Sequence, residues 1–284
     1  MGFKFIQINT NGLKLKDLDF VKSLKDAGLN SVFLQFDGLD SSIYWELRGR
    51  DILEDKLKAI DNLKRMEIGT ILVCTIVPGV NDSFLYDIVR FGANNIPTIR
   101  GVHFQPISYF GRIPRIPKDE NRITLPEVMD KLSKQSKGIM NIRDFRPPGC
   151  ENAYCSFHAN YIELDGKLVY LGTSEKKPIK EIEDGEKGSI KAKAFVERNW
   201  ALRQQRLNED KYSSFTELLE KIETNRFSIS AMGFQDVWNL DMDRLKDCCI
   251  HVISKDGNLI PFCAYNLTSQ DGKSLYRYKE NHKE

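Results

Sequence analysis

The residues with the most chemical potential in this sequence are its cysteines. Cys150 and Cys155 form a C-x4-C pair behind the rigid Pro147-Pro148-Gly149 turn, Cys248 and Cys249 are adjacent, and Cys263 follows an Asp256-Gly257 turn signal. Iron–sulfur clusters take thiolates from turns and strand ends, generally four per cluster, and structural zinc takes the same number in a tetrahedron. Spacing alone leaves both open, and metal or redox chemistry comes ahead of structural disulfides in a chain of this kind. The sixth cysteine, Cys74, lies inside the apolar stretch 71–77 and reads as a packed thiol. His103 begins an apolar strand, while His158 and His251 stand near cysteines; all three read as packing or hydrogen-bonding histidines.

A second set of polar residues falls where apolar strands end. These are Thr10-Asn11-Gly12, Gln35-Phe36-Asp37-Gly38, the stretch 75–81 and Gln105-Pro106. In folds built on parallel strands, the loops after the carboxyl ends carry the functional site. Any one of these loops is also ordinary turn chemistry, with Gly for positive φ and Asn or Asp for self-bonding turns. Four in register are the stronger signal.

The elements that would position them recur as units of strand, loop and helix. Residues 4–10 alternate as a strand, and 15–27 form a helical pattern with Leu18, Val21 and Leu24 on one face and Gly28 as the stop. Residues 31–37, 70–77 and 101–106 read as further strands, and 53–66 and 82–92 as helices. The runs 32–36 and 71–77 are apolar enough for burial on both faces, as a parallel sheet covered by helices requires.

Behind Cys155 the pattern changes to hairpins. Residues 161–170 fold about Asp165-Gly166, and a two-residue loop pairs Ile162 with Val169 and Tyr161 with Tyr170. A second cysteine-led hairpin runs from Cys249 through Asp256-Gly257 to Ala264. A two-residue turn there sets Ile250 opposite Cys263 with Cys248 on its face; a three-residue turn centred on Gly257 sets His251 opposite and Cys249 on that face. Both registers stay open. Residues 176–193 read as a charged linker, 195–206 and 215–222 as helices, and 110–122 as a long loop that either closes over a substrate or merely connects.

Composition sets the outer limits. The 284 residues are 41% apolar and 29% charged, with 42 Lys and Arg against 40 Asp and Glu. Interspersed charge of this kind gives no field that argues for nucleic acid or an anionic membrane. No run approaches a membrane span, so a cytoplasmic protein without a transmembrane segment is expected.

Read as a series, Thr10-Asn11-Gly12, Gln35-Phe36-Asp37-Gly38, Glu46-Leu47-Arg48-Gly49, the run 77–82 (VPGVND) and the run 103–107 (HFQPI) resemble radical S-adenosylmethionine (SAM) enzymes from about their third strand onward. The run 146–155 (RPPGCENAYC), with 248–251 (CCIH) and 260–266 (IPFCAYN), resembles the archaeal tetraether lipid synthase group and its bacterial relatives. The resemblance implies an α/β fold: a partial (β/α) barrel of radical SAM type over 1–145, then a cysteine-rich hairpin and helix region over 146–284 that holds an auxiliary cluster.

It also implies roles. Asn11, Gln35 and Asp37 would line the SAM side of the barrel, Gln105 would lie near the adenine, and Arg48 would pair bidentately with the SAM carboxylate, unless it forms a surface ion pair with Glu46 or Asp51. An auxiliary [4Fe–4S] cluster would be held by Cys150, Cys155, Cys263 and one or both of Cys248 and Cys249. The family's C-x3-C-x2-C motif occurs nowhere in the sequence. The expectation is therefore the C-terminal portion of a longer enzyme, inactive alone. The whole would use a 5′-deoxyadenosyl radical on an unactivated C–H bond of a small-molecule or lipid-like substrate, in lipid alkyl carbon–carbon coupling or methylation. An electron donor such as a ferredoxin or flavodoxin would serve it. The competing expectation is a non-catalytic iron–sulfur or zinc-binding module, or a subunit completed by another polypeptide.

Overall fold

The computed structural model describes residues 5–113, 115–148, 151–172, 190, 193–194, 196–197, 199–202 and 221–277. Its centre is a seven-stranded sheet built from β1 (Gln7–Thr10), β2 (Ser31–Gln35), β3 (Gly69–Ile76), β4 (Ile99–Pro106), β5 (Ser156–Leu164), β6 (Lys167–Tyr170) and β7 (Arg226–Met232). The strand order is β1-β2-β3-β4-β7-β5-β6. β1 to β4 and β7 run parallel, and the β5–β6 hairpin closes the far edge antiparallel to β7. This is the partial α/β barrel sheet that the sequence pattern anticipates. Strands from both sides of residue 145 share it.

Crossover helices cover one face. They are α1 (Leu18–Asp26), α2 (Ser41–Arg48), α3 (Leu53–Arg65), α4 (Leu85–Ala93) and α5 (Leu125–Gln135). Asp17 caps α1, Asp40 caps α2, and Thr124 with Glu127 forms a capping box on α5. Val21, Leu63, Val89 and Leu132 from these helices pack into one core with Leu34, Leu72, Cys74, Phe104, Ile229 and Ala231. That face is an apolar layer excluded from water, the main stabilising feature of the fold.

The opposite face is polar and half-buried. Strand register lines up Gln35, Val73, His103, Ser230 and His158 in one row across β2, β3, β4, β7 and β5. Ile71 and Leu72 are buried alike, but Val73 and Thr75 are only half-buried, so β3 is sealed on both faces at its amino end alone. The seal is the segment 199–202, where Trp200 packs on Phe33 with ring centroids 4.8 Å apart. Arg100, 1% exposed, locks this end by donating from Nε to Asn199 O at 3.2 Å, from Nη2 to Glu223 O at 3.3 Å, and from Nη1 to Thr224 O.

The Asp165-Gly166 hairpin has the expected register, Ile162 opposite Val169 and Tyr161 opposite Tyr170. The second hairpin has neither expected register. β8 (His251–Ile253) pairs with β9 (Leu259–Pro261) so that Ile253 faces Leu259 and His251 faces Pro261. The loop is three residues centred on Asp256, because Ser254 N donates to Asn258 O. Cys263 has already left the strand and sits in α7 (Phe262–Asn266). One more helix, α6 (Met242–Lys246), precedes this unit. Most of the expected linker over 176–193, and much of the helices expected over 195–206 and 215–222, lie outside the described residues.

Candidate functional site

Polar groups gather at the carboxyl ends of β1, β2 and β3. Asp37, just past β2, is fully buried, and Arg48 at the end of α2 reaches back to it. Nε donates to Asp37 Oδ2 at 2.8 Å and Nη2 to Oδ1 at 3.0 Å. Arg48 Nη2 also donates to Thr75 Oγ1 at 3.2 Å, and the Thr75 amide donates to Asp37 Oδ1 at 3.2 Å. Gln35 adds its Nε2 to Asp37 Oδ2. Arg48 therefore pairs with neither Glu46 nor Asp51, and its bidentate fork is already closed on Asp37. A ligand carboxylate would meet the remaining Nη1 donors only.

Lys56 completes this cluster and was not among the candidates. Its Nζ donates to Gln35 Oε1 at 2.8 Å and to the Asn11 carbonyl. Burial lowers its pKa to about 8, against an opposing pull from Asp37. A signal was present: Lys56, Ala59, Ile60 and Leu63 share one buried stripe of α3, continued by Ile52 at its N-cap, and a lysine in such a stripe needs a partner. Asn11 lends this site its backbone oxygen, while its exposed side chain accepts from Leu13 N in a local turn. Gln105 is half-buried on β4 directly across from Thr75. Two residues earlier on the same strand face, His103 Nδ1 lies 2.8 Å from Ser230 Oγ, and burial lowers the His103 pKa to about 4. Cys74 is a core thiol as expected, fully buried and donating to Asp37 O at 3.7 Å.

The cysteines occupy the same rim farther along the sheet. Cys155 immediately precedes β5, whose first residue pairs with Met232 at the carboxyl end of β7. Neighbouring strands lie about 4.8 Å apart, so three steps from β2 to β7 cover roughly 14 Å along the sheet. Cys155, Cys248 and Cys263 are half-buried, and Cys249 is exposed. Cys248 and Cys155 both lie within electrostatic reach of the Cys263 thiol, whose pKa is raised chiefly by burial. Two N–H groups aim at these sulfurs: the Gln235 amide at Cys263 Sγ, 3.4 Å away, and Arg244 Nη2 at Cys155 Sγ, 3.3 Å away. Cys150 lies outside the described residues. Among those described, no three His, Cys, Asp or Glu side chains converge closely enough to hold a metal ion.

The set fits a cluster in one specific respect. Arg244 Nε is buried and meets no acceptor among the described residues, whereas buried donors are nearly always satisfied. A sulfide-bearing group between these thiols would supply one. Beside them opens a cleft of about 430 Å³, within the size range of small-molecule sites. Its wall is largely apolar, with Pro106, Ile107, Leu125, Met129 and Phe234, and Arg244 lies at its edge. Arg122 is held beside the cleft by a bidentate pair with buried Asp236, at 2.9 and 3.0 Å.

Residues 2–92 match the family model of the radical SAM superfamily, in line with the resemblance of the strand-end motifs. That superfamily works with a [4Fe–4S] cluster and SAM. A 7,8-dihydro-6-hydroxymethylpterin dimethyltransferase of Methanocaldococcus jannaschii is 30% identical over 315 residues, covering 94% of this chain and 62% of the relative. GTP 3′,8-cyclases of Nautilia profundicola and Campylobacter jejuni are 26% and 29% identical over 132 and 116 residues, covering 46% and 40% of this chain and 39% and 36% of theirs. The chain thus spans less than two thirds of the length of these relatives. A solved structure of anSMEcpe with bound AdoMet and Kp18Cys peptide aligns with a TM-score of 0.36 and 16% identity, covering 48% of this chain and 36% of that one. No helix among the described residues is long and apolar enough to cross a membrane.

Proposed function

We propose that this chain supplies the SAM-facing rim and an auxiliary-cluster region to an enzyme that attacks an unactivated C–H bond. The supporting observation is the shared rim: the Gln35, Asp37, Arg48 and Thr75 group lies at the carboxyl ends of the parallel strands, and Cys155, with Cys248 and Cys263 near it, lies where the antiparallel β5 starts beside the carboxyl end of β7. When bound, SAM would supply radical C–H activation chemistry, with a ferredoxin or flavodoxin type of protein as the electron donor. The triad of cysteines for that chemistry is not among these 284 residues, so in this reading another stretch of polypeptide provides it.

In this reading the chain's residues position and exclude. Arg48 offers Nη1 to the SAM carboxylate while Asp37 fixes its plane, and Gln105 presents its amide to the adenine across from Thr75. Asn11, Gln35 and Lys56 hold the wall behind them. Residues 1–145 carry this SAM side. Residues 146–284 carry a second [4Fe–4S] cluster, on Cys155, Cys248 and Cys263 with Cys150 as the fourth thiolate. The apolar cleft beside Cys155 receives the substrate's unreactive hydrocarbon portion. Alkylation or methylation of such a carbon is the reaction class, and the dimethyltransferase name of the M. jannaschii relative supports the methylation branch.

The test is 5′-deoxyadenosine release by the dithionite-reduced holoprotein that contains both these residues and a C-x3-C-x2-C cluster. Wild type should release it, and Gln105→Leu and Arg48→Met should slow release while leaving iron content unchanged. A fully loaded wild-type protein that forms none overturns the proposal.

A further inference from the structure

We infer that Arg244 is a positioning residue for the auxiliary cluster, orienting Cys155 and raising the potential at which the cluster accepts an electron; this rests on the cluster reading above. The residue stands on α6, one short helix held by two contacts at its start. Asp241 caps it by accepting from the Asp243 and Arg244 amides. The Asp241 amide in turn donates to Gln235 Oε1 at 2.5 Å. Gln235 is 1% exposed, and its own amide donates to Cys263 Sγ. A single unit of chain therefore aims donors at two thiols that come from different parts of the sequence.

The aim of the guanidinium is fixed. Arg244 Nη2 donates to Gly233 O at 2.9 Å as well as to Cys155 Sγ at 3.3 Å. Gly233 is itself tied to the cysteine segment, since its amide donates to Cys155 O at 2.9 Å. With Nη2 held on both sides, the plane of the group cannot rotate freely, and Nε points a buried hydrogen at no described acceptor. Arginine remains charged across the accessible pH range. Hydrogen bonds to cluster sulfurs and local net charge are among the main determinants of a cluster's potential. A permanent positive charge donating to a ligand sulfur favours the reduced cluster, which carries one more negative charge. Loss of a charge-assisted donor of this kind should change the reduced-to-oxidised ratio about tenfold at a fixed poise, equivalent to about 59 mV for one electron.

The experiment is an EPR-monitored redox titration of the reconstituted auxiliary cluster in wild type, Arg244→Gln and Arg244→Lys, with iron and Mössbauer parameters measured on each. The expected result is full iron in all three, a midpoint about tenfold harder to reduce in the glutamine variant, and an intermediate value in the lysine variant, which keeps the charge but lacks the fork. A glutamine variant with full iron and a midpoint within twofold of wild type overturns the inference. So does loss of iron from both variants, which would make Arg244 a purely structural residue. Wild-type protein that forms no cluster defeats the underlying reading, an outcome distinct from the other two.

Discussion

Replacing Arg48 with methionine should destabilise this fold by about 3 kcal/mol. Asp37 is fully buried and takes two of its donors from Arg48, and Arg48 itself is one-third exposed. Removing one partner of a buried ion pair costs about 3–5 kcal/mol because the other charge is left uncompensated. The lower end applies here, since Asp37 keeps the Thr75 amide and the Gln35 side chain. Asp37→Asn should cost less, about 1–2 kcal/mol, because the arginine can turn to water. The double variant should fall about 2 kcal/mol short of the summed losses. Equilibrium urea unfolding at pH 7 reads all three, and thermal scans should show roughly 2–4 °C per kcal/mol. Additivity within about 0.5 kcal/mol, or a loss below about 1 kcal/mol for Arg48→Met, the size of an exposed pair, would refute the buried-pair argument.

The remaining predictions concern the half-buried face and its seals. His103 has a folded pKa near 4 against an ordinary value of 6.5, so the unfolded chain binds more protons between those values. Stability should therefore fall as pH drops from 6.5 toward 4, and His103→Asn should flatten that slope in urea unfolding. Lys56 carries the same sign at higher pH: with its folded pKa near 8, stability should rise from pH 8 toward 10.5, and Lys56→Met should abolish the rise. Gly101→Ala places a methyl 2.1 Å from Ser228 O where β4 meets β7. Because a backbone atom blocks it, the loss should be about 3 kcal/mol, and an unchanged urea midpoint would show that the two strands can separate there.

Much of the sheet was legible because its strands are runs of apolar residues bounded by turn chemistry. β2, β3 and β4 fall where the pattern puts them, and the β5–β6 register follows from one Asp-Gly loop. β7 was missed although it alternates: Phe227, Ile229 and Ala231 face the core and Ser228 and Ser230 the other side. It follows a long charged stretch, and nothing local says that it inserts beside β4. The strand-end residues Gln35, Asp37 and Gln105 were readable as polar groups closing apolar strands. Their partners were not, because Arg48 reaches Asp37 across 11 positions and Lys56 reaches Gln35 across 21. Arg244 was invisible for the same reason, standing 89 positions from Cys155. The hairpin at Asp256-Gly257 shows a different limit: the turn was recognised, but one additional loop residue moves every facing pair.

The most direct measurement is Mössbauer spectroscopy with iron analysis on the chain reconstituted anaerobically with iron-57 and sulfide. One [4Fe–4S] cluster per chain is predicted, lost in Cys155→Ala, Cys248→Ala and Cys263→Ala and kept in Cys74→Ala and Cys249→Ala. Colourless wild-type protein without bound iron, or protein that holds zinc in place of the cluster, would contradict the account.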